Sequence, residues 1–248
     1  MRLVVELVPR DAEALEQQLN EVAALPGIDA LNVPDIARFP LHVAEAAAMM
    51  RRRSSLSVIP HVRAMDVDLK RPEPLLEAFD AAGIEELLII TGDPPEDMRH
   101  RVTGANVIDV LRTFRRLRPH WRFYAALDPY RDGFAAERDY LQRKLDAGAD
   151  AVFTQPFFDL RLMAVWRDLF PELDIYWGVT SVTSERAMRY WLTRNRAVFP
   201  ASFEPTLAWH RDFASQAIQF ARESDSHCYF MPIRVGIREW LDGVLPER

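Results

Sequence analysis

In the stretch Asp146-Ala147-Gly148-Ala149-Asp150-Ala151-Val152-Phe153-Thr154-Gln155-Pro156-Phe157-Phe158-Asp159 a helix ends, a strand runs and a loop begins. Gly148 sits where a C′ glycine closes a helix, because only glycine enters the left-handed region there without strain. The apolar run after it ends on a neutral amide, Gln155, and Pro156 with two phenylalanines punctuates the exit. A buried strand between two segments of helical periodicity is the repeating piece of a parallel sheet.

The same alternation extends both ways along the chain. Strands are expected over 3–7, 30–33, 56–61, 86–91, 122–127, 151–155, 174–179 and 228–232. Helices are expected over 12–24, 41–52, 74–82, 106–117, 135–147, 160–170, 183–195 and 207–223, with a ninth over 234–241. Eight βα units in 248 residues match a (β/α)8 barrel, which needs about 250 residues. The expectation is α/β class: a single TIM barrel domain over 1–248 with an additional C-terminal helix. No Pro/Gly/Ser-rich linker divides it. Asp11 reads as an N-cap and Gly83 as a second C′ glycine, while Thr183 with Arg186 offers half of a capping box.

Composition narrows the function classes. The chain is 49% hydrophobic and 27% charged with a formal charge of −6, which excludes disorder and gives no general attraction to nucleic acid or anionic membranes. The runs Arg51-Arg52-Arg53 and Arg112 to Arg118 fall near helix C-termini, where cations favour the dipole. The nine glycines are too scattered for a G-x-G-x-x-G turn or a P-loop, and the single Cys228 cannot form an internal disulfide or a cysteine-rich metal site. The six histidines show no metal spacing. No segment approaches the ~18 apolar residues of a membrane span, so a cytoplasmic protein with no resident metal is expected. Trp209, Trp240 and Phe199-Pro200 read either as core or as a homo-oligomer contact.

A barrel places its chemistry at the C-terminal ends of its strands. The polar residues expected there are Glu6, Asp35, His61, Asp93, Asp128, Gln155, Thr180 and Arg234. Glu6 is the most unusual, since it interrupts the apolar Leu3-Val4-Val5-Glu6-Leu7-Val8, where an unpaired carboxylate is costly. Desolvation would raise its pKa and make it a general acid; the alternative is a carboxylate turned aside to pair with an arginine. Asp93 follows Thr91-Gly92 and precedes Pro94-Pro95 on a stiff exit, so it reads as a site carboxylate or an ordinary turn residue. Gln155 has donors and an acceptor for the edge of an amide-like heterocycle. His61 either meets a cofactor or satisfies a backbone carbonyl.

Together these motifs resemble one family. A glutamate ending the first strand, Pro60-His61 at the third, Thr91-Gly92-Asp93-Pro94-Pro95 at the fourth and the quoted stretch through the sixth are similar to the methylenetetrahydrofolate reductase family. The likeness continues through Phe203-Glu204-Pro205 and 227–233. The resemblance implies a barrel that reduces 5,10-methylenetetrahydrofolate to 5-methyltetrahydrofolate, with FAD bound without a Rossmann motif and NAD(P)H as reductant. It gives Glu6 the role of acid, Asp93 a place beside flavin and pterin, Gln155 a contact to the pterin, and His61 and Thr91 contacts to the cofactor. It gives Lys144 a cofactor phosphate and Phe203 a stacking role on folate or nicotinamide. The chain departs from the pattern at Thr91, where relatives carry arginine, at Ala125 to Tyr130, which lacks an H-P-E segment, and at Tyr140. A flavin-free reductase, a folate-dependent methyl-transfer barrel and a catalytically silent binding subunit are the alternatives.

Overall fold

The computed structural model describes residues 1–94 and 102–246; Pro95, which completes the Thr91 to Pro95 motif, lies outside them. The strands are β1 (Leu3–Glu6), β2 (Ala30–Val33), β3 (Ser57–Arg63), β4 (Glu86–Ile90), β5 (Arg122–Leu127), β6 (Ala151–Pro156), β7 (Ile175–Thr180) and β8 (His227–Met231). They pair in parallel and in sequence order, and β8 returns to β1, so the sheet is a closed barrel. The α-helices among the described residues are α1 (Ala12–Ala23), α2 (Val43–Arg53), α3 (Glu73–Ala81), α4 (Val107–Leu117), α5 (Phe134–Asp146), α6 (Leu160–Leu169), α7 (Glu185–Arg194), α8 (Leu207–Glu223) and α9 (Ile237–Leu241), with a 3-10 turn over Ala64–Asp66. The expected TIM barrel with a C-terminal helix is the observed fold.

Period-two alternation divides each strand between two cores. Outward side chains such as Val5, Leu31, Val58, Leu87 and Phe123 pack beneath the helices. Inward ones, Val4, Ala30, Ile59, Leu88, Tyr124, Phe153, Tyr176 and Tyr229 among them, fill the barrel. Barrel interiors are usually rich in branched aliphatics, but here four aromatic rings, Tyr124, Phe153, Tyr176 and Tyr229, stand among them. Phe153 stacks on Tyr176 with centroids 4.2 Å apart, and Tyr124 meets both edge-on. Planar rings in offset and edge contacts fill the space and add specific attraction.

Several boundaries depart from the sequence reading. β3 runs on to Arg63, pairing Val62 with Ile89 and Arg63 with Ile90, so His61 lies inside the strand rather than at its end. α2 starts at Val43 because the side chain of His42 caps it, accepting from the backbone N–H of Ala44. Ser184, not Thr183, caps α7 through the N–H of Ala187. Arg234 does not open α9: it adopts φ 59° in a turn, and the helix begins later, its first amides held by Glu21 of α1. Asp11 caps α1 and the glycines at 83 and 148 have positive φ, as expected. Trp240 is fully buried core, and Phe199 and Trp209 pack in an aromatic cluster with Phe158 and Phe203.

Candidate active site

The carboxylate that ends β1 is the centre of the rim. Glu6 pairs in register with Asn32 of β2, and Asn32 in turn with Ile59 of β3. Across the β1–β8 seam the hydroxyl of Tyr229 donates to Glu6 Oε2 and also lies 3.1 Å from Asn32 Oδ1. The amide of Asn32 is oriented by its own Nδ2, which donates to Ile59 O at 2.9 Å. Burial pushes the Glu6 carboxyl up to about 7, and the Tyr229 hydrogen bond pulls the other way. A carboxyl poised there exchanges its proton near neutral pH, which is what a general acid requires. Among the described residues no arginine takes the pairing role that was the alternative for Glu6: its bonded partner is a phenol.

His61 shares the interior face of β3 with Ile59 and is buried, with Nε2 lacking a hydrogen-bond partner. Burial drives its pKa down to about 3, so the ring is a neutral imidazole. Thr91 and Asp93 follow β4 directly and are exposed. Their loop is tied back by Arg63, a residue absent from the expected site, whose Nη2 donates to the Asp93 carbonyl at 2.9 Å while Nε holds Asp66. Gly92 has φ +88°, and a Cβ there would meet Arg63 and Met65 side-chain carbons at 3.1 Å, so glycine is what allows the loop to pass.

Gln155 is aimed by an irregularity in the sheet. Between Phe153 and Pro156 the register of β6 against β7 slips, and such bulges redirect side chains beside barrel mouths. Thr154 Oγ1 accepts from the Gly178 N–H at 2.8 Å and donates to Gln155 O. A Cβ on Gly178 would lie 2.4 Å from Thr154 O, so the bulge needs glycine opposite it. The result is an exposed amide at the open end of β6. Phe203 is half-buried, 4.2 Å from Phe199 and 4.7 Å from Trp209 by ring centroids.

Lys144 is buried behind the end of β5 instead of being presented to solvent. Its Nζ donates to Ala126 O at 2.6 Å, stands 4.0 Å over the Tyr140 ring and 3.9 Å from Glu137, and is buried. Burial brings it down to about 8. Glu137 also pairs with Arg131 and accepts from the Asp128 amide, so this cluster braces the loop after β5. Of the remaining strand-end residues, Asp128 caps its own turn through the N–H of Tyr130, and Thr180 donates to Met231 O. Asp35 is largely buried, which raises its carboxyl despite the nearby His42 and Arg63.

The FAD implied by the resemblance has two ends. His61, Thr91 and Asp93 suit its ring. Its diphosphate is best met by cations turned outward, yet Lys144 is spent on Ala126 and Glu137, and Arg63 at the end of β3 and Arg131 in the turn after β5 are paired with Asp66 and Glu137. These residues do not fit the phosphate arm. Among the described residues there is no cluster of metal-ligating side chains and no helix long and apolar enough to cross a membrane.

Asn32 and Tyr229 escaped the sequence reading for different reasons. Asn32 interrupts Ala30-Leu31-Asn32-Val33 just as Glu6 interrupts its own strand, so the signal was present. Tyr229 sits where any interior aromatic would.

Comparison with known proteins completes the picture. The profile of the methylenetetrahydrofolate reductase family matches residues 41–212, more than half of the chain. Similar curated proteins include the 5,10-methylenetetrahydrofolate reductase of Pectobacterium carotovorum subsp. carotovorum, 22% identical over 156 residues, covering 61% of this chain and 52% of that one. Another is methylenetetrahydrofolate reductase (NADH) 1 of Arabidopsis thaliana, 24% identical over 205 residues, covering 72% of this chain and 35% of that one. The chain thus spans about half, or less, of the length of these relatives. Among solved structures, an oxaloacetate acetylhydrolase superposes with a TM-score of 0.60 at 13% identity, covering 93% of this chain and 75% of that one, a likeness of fold alone. Glu6, Asn32 and Tyr229 lie outside the matched residues; His61, Thr91, Asp93, Lys144, Gln155 and Phe203 lie within them.

Proposed function

The chain belongs to the methylenetetrahydrofolate reductase family, and from that premise we propose that it reduces 5,10-methylenetetrahydrofolate to 5-methyltetrahydrofolate with hydride from NADH. The observation that carries the reading is Glu6, a carboxyl at the C-terminal rim of the barrel, raised to about 7 by burial and hydrogen-bonded, among the described residues, to a phenol and not to a cation. The methylene carbon of the substrate bridges N5 and N10 and accepts hydride only after the ring between them opens. Glu6 gives its proton to N10, the C–N10 bond breaks, and the iminium formed at N5 takes hydride as a methyl group. NADH leaves as NAD⁺, and Glu6 regains a proton from water at the rim. One hydride and one proton are consumed, so the step balances.

Gln155 reads the pterin edge through its amide, Asp93 pairs with the pterin's donor groups, and Phe203 offers a half-open ring for stacking on folate or nicotinamide. NADH rather than NADPH follows the name of the Arabidopsis relative. Hydride passes directly from nicotinamide to folate in this reading, because the cation expected on a flavin diphosphate is engaged inside the protein. Use of FAD is the second reading, favoured by the buried, unpartnered Nε2 of His61.

The test is the visible spectrum of the purified protein before and after denaturation, followed by NADH oxidation with and without methylenetetrahydrofolate. Colourless protein whose NADH oxidation depends on the folate supports direct transfer. A flavin spectrum bleached by NADH selects the FAD reading. No folate-dependent oxidation with either form overturns the reductase reading and leaves methyl transfer or a binding role.

A further inference from the structure

We propose that the hydroxyl of Tyr229 is a two-position proton donor, and that its choice between Glu6 and Asn32 sets the proton affinity of Glu6. The proposal deepens the reading of Glu6 as the acid and rests on it. Its basis is a count of protons. Glu6 Oε2 and Asn32 Oδ1 both face the phenolic oxygen, and Asn32 can present only its oxygen because its Nδ2 is committed to Ile59 O. Both neighbours are acceptors while Glu6 is ionised, and the hydroxyl has one proton.

Two states follow. With Glu6 ionised, the proton lies toward the carboxylate in a charge-assisted bond, and Asn32 Oδ1 faces an oxygen lone pair. With Glu6 protonated, the hydroxyl turns to Asn32 and the carboxyl keeps its own proton for the substrate. Tyr229 therefore favours the carboxylate, and Asn32 favours the acid. The arrangement is not a wire to solvent: Tyr229 is 3% exposed and Asn32 0%, whereas Glu6 is only partly covered. A dead-end pair cannot supply protons; it can set where one is held. Tyr229 and Asn32 are thus positioning residues.

Among the described residues the groups facing Glu6 are few. Tyr229 comes from β8 and the neutral Asn32 from β2, and the imidazole on the same interior face, His61 of β3, is held neutral by its burial. Burial also drives the Tyr229 phenol far above its ordinary range, so it remains a donor across the working pH.

Two variants should move Glu6 in opposite directions. Tyr229→Phe removes the donor to the carboxylate and should raise the Glu6 midpoint by about one unit. Asn32→Leu removes the acceptor that competes for the hydroxyl, leaving it wholly to the carboxylate, and should lower the midpoint by about half a unit. The readout is the ¹³C carboxyl titration of Glu6 in the unliganded full chain, assigned with Glu6→Gln, together with the pH profile of kcat. Opposite shifts support the proposal. Coincident midpoints, or both moving the same way, overturn it, and either variant alone suffices should the other fail to fold. If the carboxyl shifts as expected while the kcat profile stays put, the proton placement stands and the assignment of Glu6 as the acid fails.

Discussion

Among the described residues two glutamates face the inside of this barrel, each against a tyrosine hydroxyl, and they are held in opposite states. At the N-terminal end, Glu86 opens β4 and accepts from Tyr124; at the C-terminal end, Glu6 closes β1 and accepts from Tyr229. The difference is Arg2. Its Nη1 lies 2.8 Å from Glu86 and reaches the hydroxyls of Tyr124 and Tyr176 at 3.2 Å each. Burial alone would raise Glu86, but the Arg2 and Tyr124 hydrogen bonds outweigh it and hold the carboxyl below its ordinary value. Glu6 has the phenol without the guanidinium, so burial wins. A carboxylate locked as an ion contributes to stability, whereas one left near neutrality can exchange a proton, in keeping with barrels that separate stability at one end from chemistry at the other.

The largest expected effect tests the upper end. Glu6→Gln keeps the shape and loses the proton, and should lower kcat for methylenetetrahydrofolate reduction about 10²–10⁴-fold, measured as folate-dependent NADH oxidation. Normal turnover would remove Glu6 from the chemistry and dissolve the contrast.

The lower end should answer the reverse. Arg2→Met leaves Glu86 partly buried without its cation and should cost about 2–3 kcal/mol in denaturant unfolding at pH 7, with kcat unchanged. Because the folded Glu86 pKa is depressed, the stability from this pair is present above the ordinary carboxylate pKa and is lost as pH falls through the folded value. The wild-type and Arg2→Met curves should therefore converge in acid, below the ordinary carboxylate range. Unequal activity would mean that the lower network reaches the rim.

Glu6 itself should carry a stability cost of the opposite sign. Its folded pKa is raised from 4.5 to about 7, so its contribution is fully present below pH 4.5 and is lost as pH rises through 7. Glu6→Gln has no such dependence. Above neutrality the variant should be more stable than wild type by about 2 kcal/mol, the two agreeing more closely at pH 5. A variant less stable at pH 8 would mean that the ionised carboxylate is welcomed at the rim.

How much of this contrast the sequence discloses depends on whether a residue breaks its local pattern. Glu6 does so, a carboxylate within an apolar strand, and the eight-fold alternation of strand and helix is equally plain because it is written in periodicity. Glu86 does not: a glutamate at the start of a strand looks like a solvated end, and only closure of the barrel brings Arg2, the residue before β1, across to it. Lys144 stands two residues before the Asp146 to Asp159 motif, and neither the motif nor the helical periodicity around it determines its direction. Buried Glu137 and the carbonyl of Ala126 turn the ammonium inward. Gln155 was legible as a residue, while the bulge that aims it depends on Gly178, a position on the neighbouring strand. Side-chain direction and long-range pairing are tertiary facts, and local sequence carries them only where burial makes one residue type conspicuous.

The smallest effect is also the most discriminating, because it makes the same chemical change at the other end of the barrel. Tyr124→Phe removes one hydroxyl from Glu86 but leaves Arg2 in place. The carboxylate keeps its main partner, so it should remain ionised at neutral pH, and the loss should be that of a single hydrogen bond, about 1 kcal/mol of unfolding free energy. Tyr229→Phe strips Glu6 of its bonded donor and should displace the pH dependence of turnover; Tyr124→Phe should leave that dependence where it is in wild type. Were the Tyr124 variant to shift the kcat profile as Tyr229→Phe does, the two tyrosines would belong to one electrostatic system spanning the barrel. The cation at the lower end could not then be what separates a structural glutamate from a reactive one.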